Sequence, residues 1–199
     1  MVSGRNIDYK LICITNRHLV KGDFYTHIQH ILTCNNKPGM LVLREKDLKE
    51  EEYIILAEKV MQICNDNNTL CVLHYFKDTA LKLGADGIHL PYTMFMDMPA
   101  SEKNCFKVKG VSIHSEEEAV NAQKAGASYI MAGHIFETAC KEGVKPRGTG
   151  FLKKVCNKVN IPVYAIGGIN ENNAFCCIEA GAAGVCLMSG YMKKTDAAL

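Results

Sequence analysis

The sequence predicts an α/β fold, a single compact (β/α)8 TIM barrel spanning residues 1–199. Three observations point there. Short apolar runs rich in β-branched residues alternate with longer amphipathic stretches, the pattern of parallel α/β proteins. Eight such runs occur, enough to close a barrel. One short turn also recurs: Gly84-Ala85-Asp86-Gly87-Ile88, Gly126-Ala127-Ser128-Tyr129-Ile130 and Gly181-Ala182-Ala183-Gly184-Val185 each join a helix-like segment to a strand. Glycine tolerates the left-handed conformation that ends a helix, so one helix-to-strand unit is used three times.

In chain order the candidate strands are residues 9–16, 40–46, 70–75, 87–91, 108–114, 129–135, 162–169 and 183–189. Two helix starts are legible. Asp47 precedes an acidic first turn, Glu50-Glu51-Glu52, and Ser115 with Glu118 three residues later forms a capping box. The helix after the second strand places Ile55, Leu56, Val60 and Ile63 on one stripe, as packing against the sheet requires. Only residues 190–199 follow the eighth strand, so the last helix is expected to be truncated. The stretch 138–150, rich in Gly, Pro and Lys, is long for a connection and reads as an active-site loop.

Composition excludes several function classes. A chain of 199 residues suits one domain. Lys plus Arg number 23 against 21 Asp plus Glu, with no basic block, so no nucleic-acid partner is expected. No apolar run approaches the roughly 18 residues that span a bilayer, and the N-terminus lacks the apolar core of a secretory signal. A cytoplasmic protein without a membrane partner is expected. The ten cysteines show no CxxC spacing, and Cys13, Cys71 and Cys186 fall within apolar runs, so buried reduced thiols are expected.

In this architecture the C-terminal ends of the strands converge on one face, where active sites are built. Those ends carry Asn16-Arg17-His18, Arg44-Glu45-Lys46, His74, His89, Ser112 and His114, His134, Gly167-Gly168 and Ser189-Gly190. Alternation puts Val42, Arg44 and Lys46 on one side of the second strand, and Ser112 and His114 on one side of the fifth. Two cations at the mouth would attract an anion; the alternative is an ion pair of Arg44 or Lys46 with Glu45. The turns at Gly167-Gly168 and Met188-Ser189 let backbone N–H groups approach a phosphate, although plain turn chemistry also explains the glycines. His114 leads as acid/base, because imidazole titrates near neutrality. His74, His89 and His134 read more readily as structural, and four histidines on separate strands lack metal-ligand spacing.

The segments ITNRHL (14–19), LREKDL (43–48), ADGIHL (85–90), GVSIHSEEEA (110–119), GHIFETACKEG (133–143), PVYAIGGI (162–169) and GAAGVCLMSG (181–190) resemble the thiamine phosphate synthase superfamily. Within it they resemble most the thiazole tautomerase (TenI-type) branch. A synthase has a glutamine where this chain has Val42, an Asn-Asp pair after strand three where it has His74 and Tyr75, and another aspartate after strand four where it has Met94, the aspartates binding magnesium. His134 and Glu137 stand where synthases have prolines. The resemblance therefore implies an isomerase of thiamine biosynthesis that aromatises a carboxythiazole phosphate, with His114 shuttling the proton. It further implies Arg44, Lys46, Ser112, His134 and Lys141 as substrate contacts, and backbone of Gly167, Gly168, Met188 and Ser189 around the phosphate. It implies no metal or other cofactor for the tautomerase, and a homodimer. Two alternatives stand beside it: a magnesium-dependent synthase joining pyrimidine pyrophosphate to thiazole phosphate, and a non-catalytic regulator.

Overall fold

The computed structural model describes residues 11–138 and 143–193. Its order is β1 (Leu11–Ile14), a 3-10 turn (Arg17–Leu19), α1 (Phe24–Thr33), β2 (Met40–Leu43), α2 (Glu50–Asp66), β3 (Leu70–His74), α3 (Lys77–Lys82) and β4 (Gly87–Pro91). There follow α4 (Tyr92–Asp97), α5 (Ala100–Lys103), β5 (Val108–Ile113), α6 (Glu116–Lys124), β6 (Tyr129–Gly133), α7 (Gly148–Cys156), β7 (Val163–Ile166), α8 (Ala174–Glu179), β8 (Gly184–Leu187) and α9 (Ser189–Met192). Each strand pairs in parallel with the next, and β8 closes on β1 with Leu11 opposite Val185, giving the expected closed barrel.

Period-two alternation divides the strands between two cores. Cys13, Leu41, Leu43, Ile88, Val111 and Ile130 face outward beneath the helices. Ile12, Ile14, Met40, Val42, Val72, Tyr129, Met131, Tyr164 and Cys186 fill the interior. Each fully buried aliphatic side chain contributes roughly 2 kcal/mol. The three recurrent turns are as read: Gly84, Gly126 and Gly181 have φ of 60°, 91° and 97°, a conformation that a Cβ disfavours.

Several local expectations are corrected. Asp47 does not start α2: Lys49 is its N-cap residue, and the Glu52 carboxylate accepts the Lys49 N–H at 3.2 Å. Asp47 is drawn away by Arg17 and His18. Ile55 is 57% exposed, because the buried face of α2 runs through Tyr53, Leu56, Ala57, Val60 and Cys64. The long connection is shorter than expected, since Gly148 to Gly150 are the first turn of α7. Cysteines are not uniformly buried: Cys13, Cys64, Cys71, Cys177 and Cys186 are, but Cys105 is exposed. The Ser115 cap stands, its Oγ accepting the Glu118 N–H at 3.1 Å, and the last helix among the described residues, α9, has four residues. Among the described residues no helix is long and apolar enough to cross a membrane.

One buried phenol locks the rim near the strand ends. Tyr53 Oη donates to the Leu43 carbonyl at 2.7 Å and accepts the His74 N–H at 3.1 Å, tying α2 to β2 and β3. Burial pushes its pKa well up, so it stays protonated and able to donate. Tyr53→Phe is expected to destabilise the fold by about 1–3 kcal/mol, because both backbone groups lose their partner; urea denaturation measures it.

Candidate active site

At the mouth the side chains divide into a charged side on β1 and β2 and a neutral side on β3 to β5. Glu45 organises the first. It is 2% exposed, and its carboxylate accepts the Thr15 hydroxyl at 2.7 Å, the Arg17 N–H at 3.0 Å and Arg17 Nη1 at 3.0 Å. Thr15 Oγ1 in turn accepts the Arg44 N–H at 2.9 Å. Arg17 also forks onto Asp47; this guanidinium, with His18, holds the Asp47 carboxyl well below its usual range. A buried carboxylate so fully served is a positioning element.

Arg44 and Lys46 are thereby left for something else. The alternative pairing with Glu45 does not form, because Arg17 occupies that carboxylate, and among the described residues no carboxylate makes an ion pair with either cation. Lys46 Nζ lies over the Tyr75 ring, 5.2 Å from its centroid. Partial burial, and then the Arg44 charge, lowers its pKa. Two like charges held together without a counter-ion form a receptor for an anion.

The neutral side is built from rings. His74 and His89 are register partners on β3 and β4 and stack with centroids 5.6 Å apart and planes 16° apart. Tyr75 continues the stack at 6.5 Å and 17° from His74; its φ of 76° is left-handed, costly for a bulky residue. Both His89 nitrogens are engaged, Nδ1 with Tyr129 Oη at 3.0 Å and Nε2 with Ser112 Oγ at 2.7 Å. The two hydroxyls can turn to suit either tautomer. Burial, then the Lys46 charge, pushes His89 down to about 3, and burial pushes His74 well down too, helped by His89, Lys46 and Arg44. Both imidazoles are therefore neutral near pH 7.

Sequence reasoning missed this cluster, although it carried a signal. Glycine inside a strand marks a close approach, and Gly110 in β5 is such a residue: a Cβ there would lie 2.2 Å from Tyr129 Cζ and 2.3 Å from His89 Nδ1. Gly110→Ala is expected to cost about 3 kcal/mol and disturb the ring stack, visible as a lower urea midpoint with a changed near-ultraviolet dichroism.

The remaining expected site residues lie as follows. Ser112 belongs to the histidine cluster. His114 is exposed at the end of β5, with Nδ1 3.4 Å from the Gly133 carbonyl. His134 is buried, and its Nε2 meets the Val144 carbonyl at 3.1 Å, which gives it a role in holding the loop. Lys141 lies outside the described residues. Gly167 and Gly168 have φ of 97° and 68°; a Cβ on Gly167 would strike His134 and one on Gly168 the Glu137 carbonyl. Their carbonyls are taken by the Phe136 N–H and by Asn173 Nδ2, each at 3.0 Å. Met188 and Ser189 open the one-turn α9, so a phosphate here would rely on turn backbone without a substantial helix dipole. A cavity of about 470 Å3 lies elsewhere, at the N-terminal side of β3 beside Glu58, Thr69, Cys71 and Asp86. It gathers no paired catalytic groups, and the strand-end mouth remains the candidate site.

The comparisons with known proteins settle the family. A family model described as thiamine monophosphate synthase matches residues 11–191. The chain belongs to the thiamine monophosphate synthase family. It is 36% identical over 184 residues to a putative thiamine-phosphate synthase 2 of Aquifex aeolicus, covering 92% of this chain and 98% of the relative. It is 35% identical over 195 residues to the thiamine-phosphate synthase of Fusobacterium nucleatum, covering 95% and 92%. The thiamine phosphate pyrophosphorylase of Pyrococcus furiosus superposes with a TM-score of 0.81 at 30% identity, covering 96% of this chain and 91% of that one.

These relatives overturn the tautomerase expectation, and with it the isomerase class. They bear synthase names across nearly the whole chain, and nothing in the comparisons points to a tautomerase. His134, the departure in GHIFET, makes a contact to the Val144 carbonyl. The magnesium that a synthase implies is a separate matter. Tyr75 and Met94 carry no carboxylate, and among the described residues no group of three or more His, Cys, Asp or Glu could hold a metal ion. A resident magnesium finds no dedicated set of protein ligands among the described residues, and no step below is routed through one.

Proposed function

We propose that this chain is a thiamine-phosphate synthase, a transferase that joins a pyrimidine pyrophosphate to a thiazole phosphate. The observation that carries the reading is the pair of cations, Arg44 and Lys46, at the mouth of a barrel whose relatives bear synthase names. In the transfer, the bond from the pyrimidine methylene carbon to the pyrophosphate oxygen breaks, and pyrophosphate leaves with the electron pair. The thiazole nitrogen uses its lone pair to form the new carbon–nitrogen bond.

Negative charge grows on the leaving pyrophosphate as that bond breaks. Arg44 offers it a planar fork and Lys46 a point charge, and both are held in place before the substrate arrives. The Glu45–Arg17–Thr15 frame holds the Arg44 backbone. The glycine turns at Gly167-Gly168 and the backbone of Met188-Ser189 suit the phosphate of the thiazole partner on the β7–β8 side. Bond exchange itself needs no proton shuttle, so His114 serves as a substrate contact, together with Ser112. Lys141 is assigned to the leaving pyrophosphate through its match to a synthase lysine.

Genetic complementation tests the reading. In a bacterial strain lacking its own synthase, this chain is expected to restore growth without thiamine. Failure of the expressed, folded chain to do so would contradict it.

A further inference from the structure

The α2–β3 connection brings two thiols together at the end of the barrel remote from the mouth. Cys64 lies in the last turn of α2, and Cys71 is the second residue of β3. The chain reverses between them: Asn68 takes a left-handed φ of 50°, and the Cys64 carbonyl accepts the Thr69 N–H at 2.9 Å. Val72 points into the barrel interior, so alternation turns Cys71 outward beneath α2, where Cys64 lies on the buried helix face. The Cys71 thiol donates to the Cys64 sulfur, and this contact, followed by burial, pushes its pKa well up. Cys13 stands in the same outward row, but Leu41 of β2 separates it from Cys71.

Access sets this pair apart from the fully buried Cys13. Cys71 is 9% exposed and lines the cavity of about 470 Å3, among Met61, Asn65, Thr69, Leu70 and Leu83; Cys64, at 1%, lies behind it. The apolar surroundings restrict the chemistry. A cation held by two thiolates would bury net negative charge, and among the described residues no third ligand joins them. A disulfide is neutral and carries no such cost.

We propose that Cys64 and Cys71 are an oxidative modification site, where a small peroxide entering the cavity converts the dithiol to an intrachain disulfide. The Cys71 sulfur attacks one peroxide oxygen and the O–O bond breaks. Cys71 becomes a sulfenic acid, and its thiol proton leaves with the second oxygen as water. The Cys64 sulfur then attacks the Cys71 sulfur: the S–S bond forms, the S–O bond breaks, and the departing hydroxide takes the Cys64 proton as a second water. Each sulfur gives up one electron overall, and the peroxide accepts both. Because Cys71 stays protonated near neutral pH, the reaction is slow and calls for excess peroxide.

The test uses the full chain carrying Cys105→Ser, which removes an exposed thiol and its cross-links between molecules. The chain is treated with excess hydrogen peroxide near neutral pH, alkylated under denaturing conditions, digested with trypsin and mapped by mass spectrometry. Residues 60–77 form one tryptic peptide that carries both Cys64 and Cys71. It is expected two hydrogens lighter and unalkylated, and to take up two alkyl groups once reduced. Reducing the oxidised chain with dithiothreitol should lower its melting temperature by about 4 °C or more, because the bridge constrains the unfolded chain. Cys64→Ala taken through the same steps should show a smaller drop. In that variant the reaction stops at the Cys71 sulfenic acid, which a cyclic dione traps; in Cys71→Ala, Cys64 remains a free thiol.

A peptide still alkylated at both cysteines after peroxide has consumed other thiols of the chain would overturn the proposal. So would a bridge from either cysteine to a different one, or a melting temperature that reduction leaves unchanged.

Discussion

Replacing Arg44 by glutamine is expected to lower kcat/KM for thiamine phosphate formation by about 100- to 1,000-fold, the usual consequence of removing one preorganised group that meets developing charge. Glutamine keeps most of the length and a hydrogen-bond donor, and loses the charge and the fork. The Arg44 main chain is held by Thr15 and Glu45, so the substitution leaves the frame intact and stability should change little. Arg44→Lys is expected to recover only part of the rate, since a point charge cannot replace two parallel hydrogen bonds. Lys46→Gln should cost less, about tenfold, because that side chain is more exposed and its ammonium is already partly destabilised by burial and by Arg44. Steady-state kinetics with pyrimidine pyrophosphate as the varied substrate gives all three values. Wild-type kcat/KM in Arg44→Gln would remove the cation pair from the account.

Acid is expected to unfold the protein through the same site. His89 is pushed from 6.5 to about 3 by burial, and His74 is pushed down as well. A histidine with a lower pKa folded than unfolded binds fewer protons in the native state, so unfolding takes protons up between the two values. Stability is full above about pH 6.5 and falls as the pH drops toward 3. His89 alone contributes up to about 1.4 kcal/mol per pH unit in that window, or roughly 3 kcal/mol lost by pH 4. That is a large part of the margin of an ordinary domain. Urea midpoints from pH 8 to pH 4 should be flat above 7 and decline steeply below 6. A profile flat down to pH 4 would show that the imidazoles are solvated and the stack is open.

What the sequence revealed and what it concealed follow from the range of the interactions involved. The helix-ending glycines at 84, 126 and 181 are local: one residue's φ decides the turn. Strand alternation then placed Arg44 and Lys46 at the mouth, and the interior position of Val42 agrees with the same parity. The Asp47 cap failed because a guanidinium 30 residues away competes for the carboxylate better than a backbone N–H does. Ile55 failed because the packed face of α2 is set by where Tyr53 must reach, the ends of β2 and β3. The histidine stack was out of reach for a different reason. It depends on the β3–β4 register that sets His74 against His89, and on Gly110 leaving room for Tyr129, neither of which a single strand reveals. The tautomerase expectation rested on the departures at Val42, Tyr75 and Met94 and on the GHIFET segment, and it is the synthase names of the relatives that overturn it.

The central claim is the coupling itself. The most direct measurement is a phosphorus NMR time course of the purified full chain with pyrimidine pyrophosphate and thiazole phosphate. The account predicts that inorganic pyrophosphate and thiamine phosphate appear together, one for one, and that neither forms when the thiazole phosphate is omitted. Pyrophosphate release without thiamine phosphate, or no reaction by a chain that binds both substrates, would contradict it.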